Sequence, residues 1–228
     1  MKTISVNASK SYDILLGKGL YANLGAYIGK VIQSQKIIIV TDSNVNPLYG
    51  KIVKENLIKS GFDVYIFEFL AGEKSKNSTT YLELISFIAK HSLQRSDCLV
   101  ALGGGVVGDM TGFAASTYMR GIKYIGVPTT LLSIIDSSVG GKTGIDLEEG
   151  KNLLGSFYQP DLVVADLDAL KTLPSKEIQN GKGELIKYGI LAGGELWKLI
   201  ENKEDPLTSE RMLELCISYK RDIVEADE

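Results

Sequence analysis

Histidine is almost missing from this sequence: its 228 residues include one, His91, along with one tryptophan, two cysteines and five prolines. A lone imidazole cannot assemble a histidine-based metal centre. His91 also lies near the end of an amphipathic helical pattern, where a surface or capping role is the simpler reading. Cys98 falls in an apolar run and Cys216 in a helical pattern, far apart in sequence. Both read as small buried hydrophobes, not as a disulfide or as ligands. Excess positive charge is lacking too. A formal net charge of -3 without a basic run removes the electrostatic case for nucleic acid or a membrane surface. No apolar stretch is long enough to span a bilayer, and residues 1–18 alternate polar and apolar side chains, unlike a signal peptide. These absences lead to the expectation of a cytoplasmic protein with no nucleic-acid or membrane partner.

What remains is ordinary globular material: 44% hydrophobic and 23% charged residues, with 24 glycines. Residues 3–6 and 12–16 read as two short strands, after which strand and helix patterns alternate. The run 36–41 is β-branched, 48–60 is helical and closed by Gly61, and 63–69 is a second strand. Tyr81, Leu84, Ile85 and Ile88 then share one helical face. Strands follow at 97–102 and 124–127, separated by glycines and a helix. Such alternation predicts a parallel-rich sheet covered by helices, a Rossmann-like α/β domain. Beyond about residue 173 strand signals stop, and 176–200 and 210–227 both read as helices. The expected division is an α/β domain over 1–173 and the start of an all-α domain over 174–228. Met212, Leu215, Cys216, Tyr219 and Ile223 form an apolar stripe on the last helix, and an exposed stripe of that kind would make the chain prone to self-association. Asp227 and Glu228 stand at the unfavourable end of that helix's dipole. With two helices making a thin core, this leads to the expectation that the helical domain is incomplete in this chain.

The chemistry-bearing segments cluster after strands. The strand 97–102 runs into Gly103-Gly104-Gly105-Val106-Val107-Gly108-Asp109, which opens a helix. Glycines allow a pyrophosphate to approach the backbone, and free N–H groups with the helix dipole favour its charge. The pattern contains G-x-G-x-x-G, but the next strand ends in Gly126-Val127-Pro128-Thr129-Thr130 and not in an acidic residue, a departure from the dinucleotide-binding fingerprint. Taken alone, the glycines fit a tight turn as well. Thr41-Asp42-Ser43-Asn44 follows another strand, with side chains suited to ribose hydroxyls, and Gly72-Glu73-Lys74-Ser75-Lys76 follows a third. All these segments fall at carboxyl ends of strands, where open α/β sheets bind ligands. Further on, Asp136-Ser137-Ser138-Val139-Gly140-Gly141-Lys142-Thr143-Gly144 and Gly150-Lys151-Asn152 offer two lysines and an amide in glycine-bearing loops, suited to phosphate or carboxylate. Asn180, Glu184 and Lys187 share a helical face; they are either a surface ion pair or a metal-binding carboxylate beside a substrate-binding ammonium.

Together and in this order, these segments resemble the 3-dehydroquinate synthase family. The resemblance is carried by the glycine run 103–109, Ser-Thr-Tyr-Met-Arg-Gly at 116–121, Pro-Thr-Thr at 128–130, Asp-Ser-Ser-Val-Gly-Gly-Lys-Thr-Gly at 136–144, Gly-Lys-Asn-Leu-Leu-Gly at 150–155, Leu-Lys-Thr-Leu-Pro at 170–174 and Gly-Glu-Leu-Ile-Lys-Tyr-Gly at 183–189. It implies the fold of that family and contact with NAD by Asp42, Ser43, Asn44, Glu73, Lys76, Gly104, Gly105, Val106, Asp109, Thr129, Thr130, Lys151, Leu170, Lys171, Thr172 and Asn180. It implies substrate contact by Arg120, Asp136, Lys142, Asn152, Lys187 and Lys220, with Arg120 reaching the neighbouring subunit's site in a homodimer. Glu184 would be one of three ligands to a divalent metal, zinc or cobalt. The implied reaction cyclises the sugar phosphate 3-deoxy-D-arabino-heptulosonate 7-phosphate to 3-dehydroquinate with release of phosphate, in the shikimate pathway. The family's other two metal ligands are histidines in segments that would follow Glu228, so the resemblance implies an incomplete metal site and an inactive chain. A related sugar-phosphate cyclase, a metal-dependent polyol dehydrogenase and a non-catalytic NAD-binding fragment remain as alternatives.

Overall fold

The computed structural model describes residues 1–33 and 35–227. The chain opens with β1 (Lys2–Asn7) and β2 (Ser11–Gly17), then alternates through α1 (Leu24–Val31), β3 (Lys36–Asp42), α2 (Lys51–Lys59), β4 (Asp63–Phe69), α3 (Ser78–Lys90), β5 (Cys98–Gly103), α4 (Gly105–Thr117) and β6 (Lys123–Pro128). A hairpin, β7 (Lys142–Leu147) and β8 (Gly150–Phe157), precedes β9 (Leu162–Asp166) and the helices α5 (Ser175–Ala192), α6 (Gly194–Glu201) and α7 (Glu210–Ala226). No described helix is long and apolar enough to cross a membrane.

Seven strands form one sheet in the order β1-β2-β9-β6-β5-β3-β4. Only the β1–β2 pair is antiparallel; the other five pairings are parallel, as the alternating pattern predicts. The reason is plain in β3, where Ile37, Ile38, Ile39 and Val40 are all fully buried. A run apolar on both faces needs cover on both faces. Ile37 and Ile39 pack with Leu24, Ile28, Val53 and Leu57 of α1 and α2, while Ile38 and Val40 pack with Leu84, Ile88, Met110 and Ala114 of α3 and α4. From β3 the chain steps outward to β4, then returns across β3 to β5 and continues the other way to β6. The winding therefore reverses between β3 and β5. That reversal leaves a crevice outside their carboxyl ends.

His91 has the structural role its position suggests. It caps α3, its ring packs 4.2 Å from those of Tyr65 and Phe87, and Nδ1 lies 2.9 Å from the Phe87 carbonyl oxygen.

Three expectations need correction. The helical pattern over 176–200 is two helices, because Gly193 and Gly194 take φ of 62° and 57°, the left-handed region that suits glycine. The segments carrying Lys142 and Lys151-Asn152 are not loops but the β7–β8 hairpin, docked against α4. Its glycines are required there: a Cβ on Gly155 would lie 2.1 Å from the Thr143 carbonyl oxygen across the hairpin. The stripe on α7 is not exposed either. Met212 and Cys216, with Leu213, Ile217 and Val224, are buried in one cluster with Ile4, Val6, Ile14 and Val163 of the sheet, and only Ile223 remains substantially exposed at 42%.

Asp166, at the end of β9, shows how this edge of the sheet is held. Its buried carboxylate accepts hydrogen bonds from the backbone N–H groups of Gly19, Tyr21 and Asp168, each 3.0 Å away. Gly19 N–H is shared with Asp168 Oδ2 at 3.1 Å, and together these bonds tie the turn after β2 to the turn after β9. We predict that Asp166→Ala lowers the unfolding free energy by about 3 kcal/mol, the scale for charge-assisted bonds lost with donors left buried. A urea midpoint unchanged from the parent would contradict this role.

Candidate active site

The crevice between β3 and β5 has a backbone floor. Strand β5 ends at Gly103, Gly104 is the N-cap of α4, and no side chain caps the helix, so its first N–H groups face outward. Space explains the glycines. A Cβ on Gly103 would lie 2.5 Å from Val107 Cγ2, one on Gly104 3.2 Å from Thr130 Cγ2, and one on Gly105 3.2 Å from Ser137 Oγ. Val106 follows in the first turn of α4. Thr129 N–H donates to the Gly103 carbonyl at 2.9 Å, which seats the end of β6 against the glycines. The hydroxyls of Thr130 and Ser133 bond at 2.8 Å and brace the next turn. Buried at the same edge, the Thr41 and Thr129 hydroxyls have no hydrogen-bond partner. A narrow cradle with outward amides and orphaned hydroxyls suits a phosphorylated polar ligand.

On the β3 side, Asp42 Oδ1 accepts from the N–H groups of Asn44 (2.9 Å) and Val45 (3.0 Å), shaping the turn that presents Asn44. Ser43 Oγ accepts from Ala71 N–H at 3.0 Å and ties this turn to the end of β4. The turn after β9 carries Leu170, Lys171 and Thr172. Leu170 is buried, Lys171 pairs with Asp168 at 2.7 Å, and the Thr172 hydroxyl meets Tyr49 Oη at 2.5 Å. Tyr49 also donates to the Ala169 carbonyl at 3.2 Å, a tie that no sequence pattern marks.

Beside the crevice lies a cavity of about 560 Å3, whose walls include Asp109, Asp136, Lys142, Asn152 and Lys220. Four of the six residues expected to touch substrate therefore come together. Asp136 is engaged from two sides: Tyr188 Oη donates at 2.6 Å and Lys220 Nζ lies at 2.8 Å. Burial, followed by the hydrogen bond to Asp136, holds the Tyr188 phenol far above its ordinary pKa, so it stays protonated and can donate to Asp136. Glu184 is near enough to add to that push. Sequence reasoning passed over Tyr188, although it adjoins Lys187 in the 183–189 segment. Cys216 is inert by comparison, its thiol pushed up to about 12 by burial.

Lys76 joins the two regions. Its side chain is 4% exposed, and its ammonium contacts Asp109 Oδ2 and Asn152 Oδ1, both at 2.5 Å. Burial raises the Asp109 pKa, and the Lys76 charge pulls it back down. At the rim, Glu73 pairs with Lys151 at 3.0 Å.

Four expected site residues, Asn180, Glu184, Lys187 and Arg120, stand apart from the cavity walls. Asn180 donates to Glu177 at 3.2 Å, and Glu184 pairs with Lys187 at 2.8 Å. Arg120 follows the far end of α4, one 13-residue helix away from Gly105, or about 20 Å at 1.5 Å per residue. It sits in a turn where Met119, Arg120 and Gly121 all have positive φ. Among the described residues no group of three or more His, Cys, Asp or Glu side chains could hold a metal ion.

A family model described as 3-dehydroquinate synthase N-terminal matches residues 66–180. The chain is 46% identical over 233 residues to the 3-dehydroquinate synthase of Clostridium acetobutylicum, covering 100% of this chain and 65% of that protein. To the 3-dehydroquinate synthase of Streptococcus mutans it is 44% identical, covering 96% and 63%. The chain thus spans a little under two thirds of these curated relatives. Among solved structures, 2-deoxy-scyllo-inosose synthase complexed with carbaglucose-6-phosphate, NAD+ and Co2+ gives a TM-score of 0.90 at 28% identity, covering 98% of this chain and 64% of that one. The 2-epi-5-epi-valiolone synthase of Streptomyces hygroscopicus with NAD+ and Zn2+ bound gives 0.80 at 27%, with the same coverage. Likeness to an iron-containing alcohol dehydrogenase of Thermococcus thioreducens, TM-score 0.74 at 17% identity, shows a shared fold alone. With the family model matching half of its residues and the fold matching throughout, this chain belongs to the 3-dehydroquinate synthase family.

Proposed function

We propose that the whole protein is a 3-dehydroquinate synthase, converting 3-deoxy-D-arabino-heptulosonate 7-phosphate to 3-dehydroquinate with release of phosphate. The observation that carries this reading is the junction of a glycine-floored crevice with a cavity holding Lys142, Asn152 and Asp136. The crevice suits NAD. The Gly104, Gly105 and Val106 amides would take the pyrophosphate, with Asp42, Ser43 and Asn44 on the ribose side. Thr129, Thr130 and the turn 170–172 would line the opposite wall, Leu170 through its backbone. Glu73, Lys151, Lys76, Asp109 and Asn180 complete the expected contact set, Lys76 and Asp109 acting from beneath through their mutual pair.

Bound NAD supplies a hydride acceptor for a secondary alcohol and returns the hydride afterwards, so it ends unchanged. The new carbonyl acidifies the neighbouring C–H bond and opens the way to β-elimination of phosphate. Lys142, a compact cation at the start of β7, and Asn152, an amide donor, would hold that leaving phosphate in place. Asp136, oriented by Tyr188 and Lys220, can accept from a substrate hydroxyl. Lys187 would approach from α5. Ring opening and intramolecular aldol closure then complete the sequence. The zinc or cobalt ion of the family reading does not fit the described residues, because Glu184 belongs to no group of three or more His, Cys, Asp or Glu side chains there.

Two structural readings belong to the same proposal. Residues 174–227 form part of a helical substrate domain, although α5 and α7 already share a cluster with the sheet. The protein acts as a homodimer, supported by the placement of Arg120 a full helix away from its own cavity. The likeness of this chain to 2-deoxy-scyllo-inosose synthase favours a related sugar-phosphate cyclase as the second reading. A polyol dehydrogenase has no use for a phosphate held by Lys142 and Asn152.

Three outcomes follow. The whole protein is expected to release phosphate from the seven-carbon sugar phosphate with no net NADH; net NADH from an alcohol would indicate a dehydrogenase. Gly105→Asp adds bulk against Ser137 and a negative charge against the pyrophosphate, while an acidic residue in the first turn of α4 leaves the helix sound. Calorimetry is expected to show NAD binding weaker by about tenfold or more, a change of ~1.4 kcal/mol; unchanged affinity would place the pyrophosphate elsewhere. Mixing Arg120→Ala with Lys142→Ala subunits is expected to restore part of the activity through hybrid dimers, and no recovery despite subunit exchange would rule out a shared site.

A further inference from the structure

The β7–β8 ladder is irregular where the cavity begins. Ile145 pairs with Leu154 and Leu147 pairs with Gly150, so Asp146 alone faces Lys151, Asn152 and Leu153. Such a bulge leaves backbone groups that the ladder cannot pair, and bulges beside binding sites re-aim side chains. Here Asp146 satisfies the orphans. Its Oδ1 accepts from Asn152 N–H at 2.8 Å, and its own N–H donates to the Lys76 carbonyl at 2.8 Å. Asn152 has φ of 57°, a left-handed conformation that asparagine tolerates but that needs support.

The side chain of Asn152 is fixed as well. Lys76 carries only donors, so the amide atom turned toward its ammonium must be Oδ1. The NH2 group is thereby directed away from Lys76, on a residue that lines the cavity. A closed circuit results: Lys76 to Asn152 through the side chains, Asn152 to Asp146 through N–H and carboxylate, and Asp146 back to the Lys76 carbonyl.

We propose that Asp146 is a positioning residue, which with Lys76 locks the bulge so that Asn152 presents its amide NH2 to a phosphate oxygen in the cavity. The phosphate as occupant rests on the function proposed above; the locking of Asn152 does not. What position 146 must supply is a short acceptor, and asparagine supplies one as well as aspartate, whereas alanine supplies none.

The test uses the whole protein, with Asp146→Ala and Asp146→Asn as variants and two readouts. Calorimetric titration with 3-deoxy-D-arabino-heptulosonate 7-phosphate in the presence of NAD is expected to show about tenfold weaker binding for Asp146→Ala and less than about threefold for Asp146→Asn, from the loss or retention of one hydrogen bond. NAD affinity is expected to stay at the parent value in both. Nuclear magnetic resonance of Asn152 is expected to show its left-handed φ and slow amide exchange in the parent and in Asp146→Asn, both lost in Asp146→Ala. Asp146→Asn as weak as Asp146→Ala would overturn the acceptor role, and so would Asp146→Ala binding like the parent. If the parent does not bind the sugar phosphate, the proposed function fails, and the resonance comparison alone decides whether Asp146 holds Asn152.

Discussion

One buried ammonium organises the business edge of this molecule. Lys76 sits where α4, the entry to α3 and the β7–β8 hairpin meet, nearly out of reach of water. A lysine in such a place must be paired, and removing one partner of a buried pair costs about 3–5 kcal/mol because the other charge is stranded. Asp109 supplies the counter-charge from α4, the helix whose start floors the crevice. Asn152 supplies a carbonyl oxygen from the hairpin, the wall of the cavity. The same lysine thus belongs to both halves of the site. Moving α4 would strand its charge, and moving the hairpin would take away a hydrogen-bond acceptor.

The sheet makes that meeting possible. Its winding reverses between β3 and β5, so the glycine-opened helix emerges at a crevice and not over a packed surface. Thr129 joins β6 to Gly103, and Asp166 gathers three backbone donors at the end of β9. Each tie holds a turn on the carboxyl edge. Arg120 is the exception, placed at the opposite end of α4 in a turn of positive φ.

Much of this was legible in the sequence where the cause is local. Ile37 to Val40 reads as a strand covered on both faces, and Gly103 to Gly105 before an apolar helix reads as a close backbone approach once the segments after the other strands are taken with it. The sheet and the crevice follow from such runs. The hairpin was not legible, because β8 is mostly exposed and glycine-bearing, and its place depends on α4: a Cβ on Gly112 would lie 2.4 Å from Thr143 Cγ2. Lys76 reads as a loop lysine until the hairpin covers it. Tyr188 reads as one aromatic on a helix until Asp136 arrives from 52 residues away. The α7 stripe looked exposed because its cover, β1 and β2, lies at the other end of the chain.

The most direct test of this account is a crystal structure of the protein with NAD and the seven-carbon sugar phosphate. The account predicts the pyrophosphate on the amides of Gly104 to Val106, the sugar phosphate on Lys142 and Asn152, and Lys76 still held between Asp109 and Asn152 beneath both ligands. A ligand bound away from these groups, or a Lys76 ammonium swung out to solvent, would contradict it.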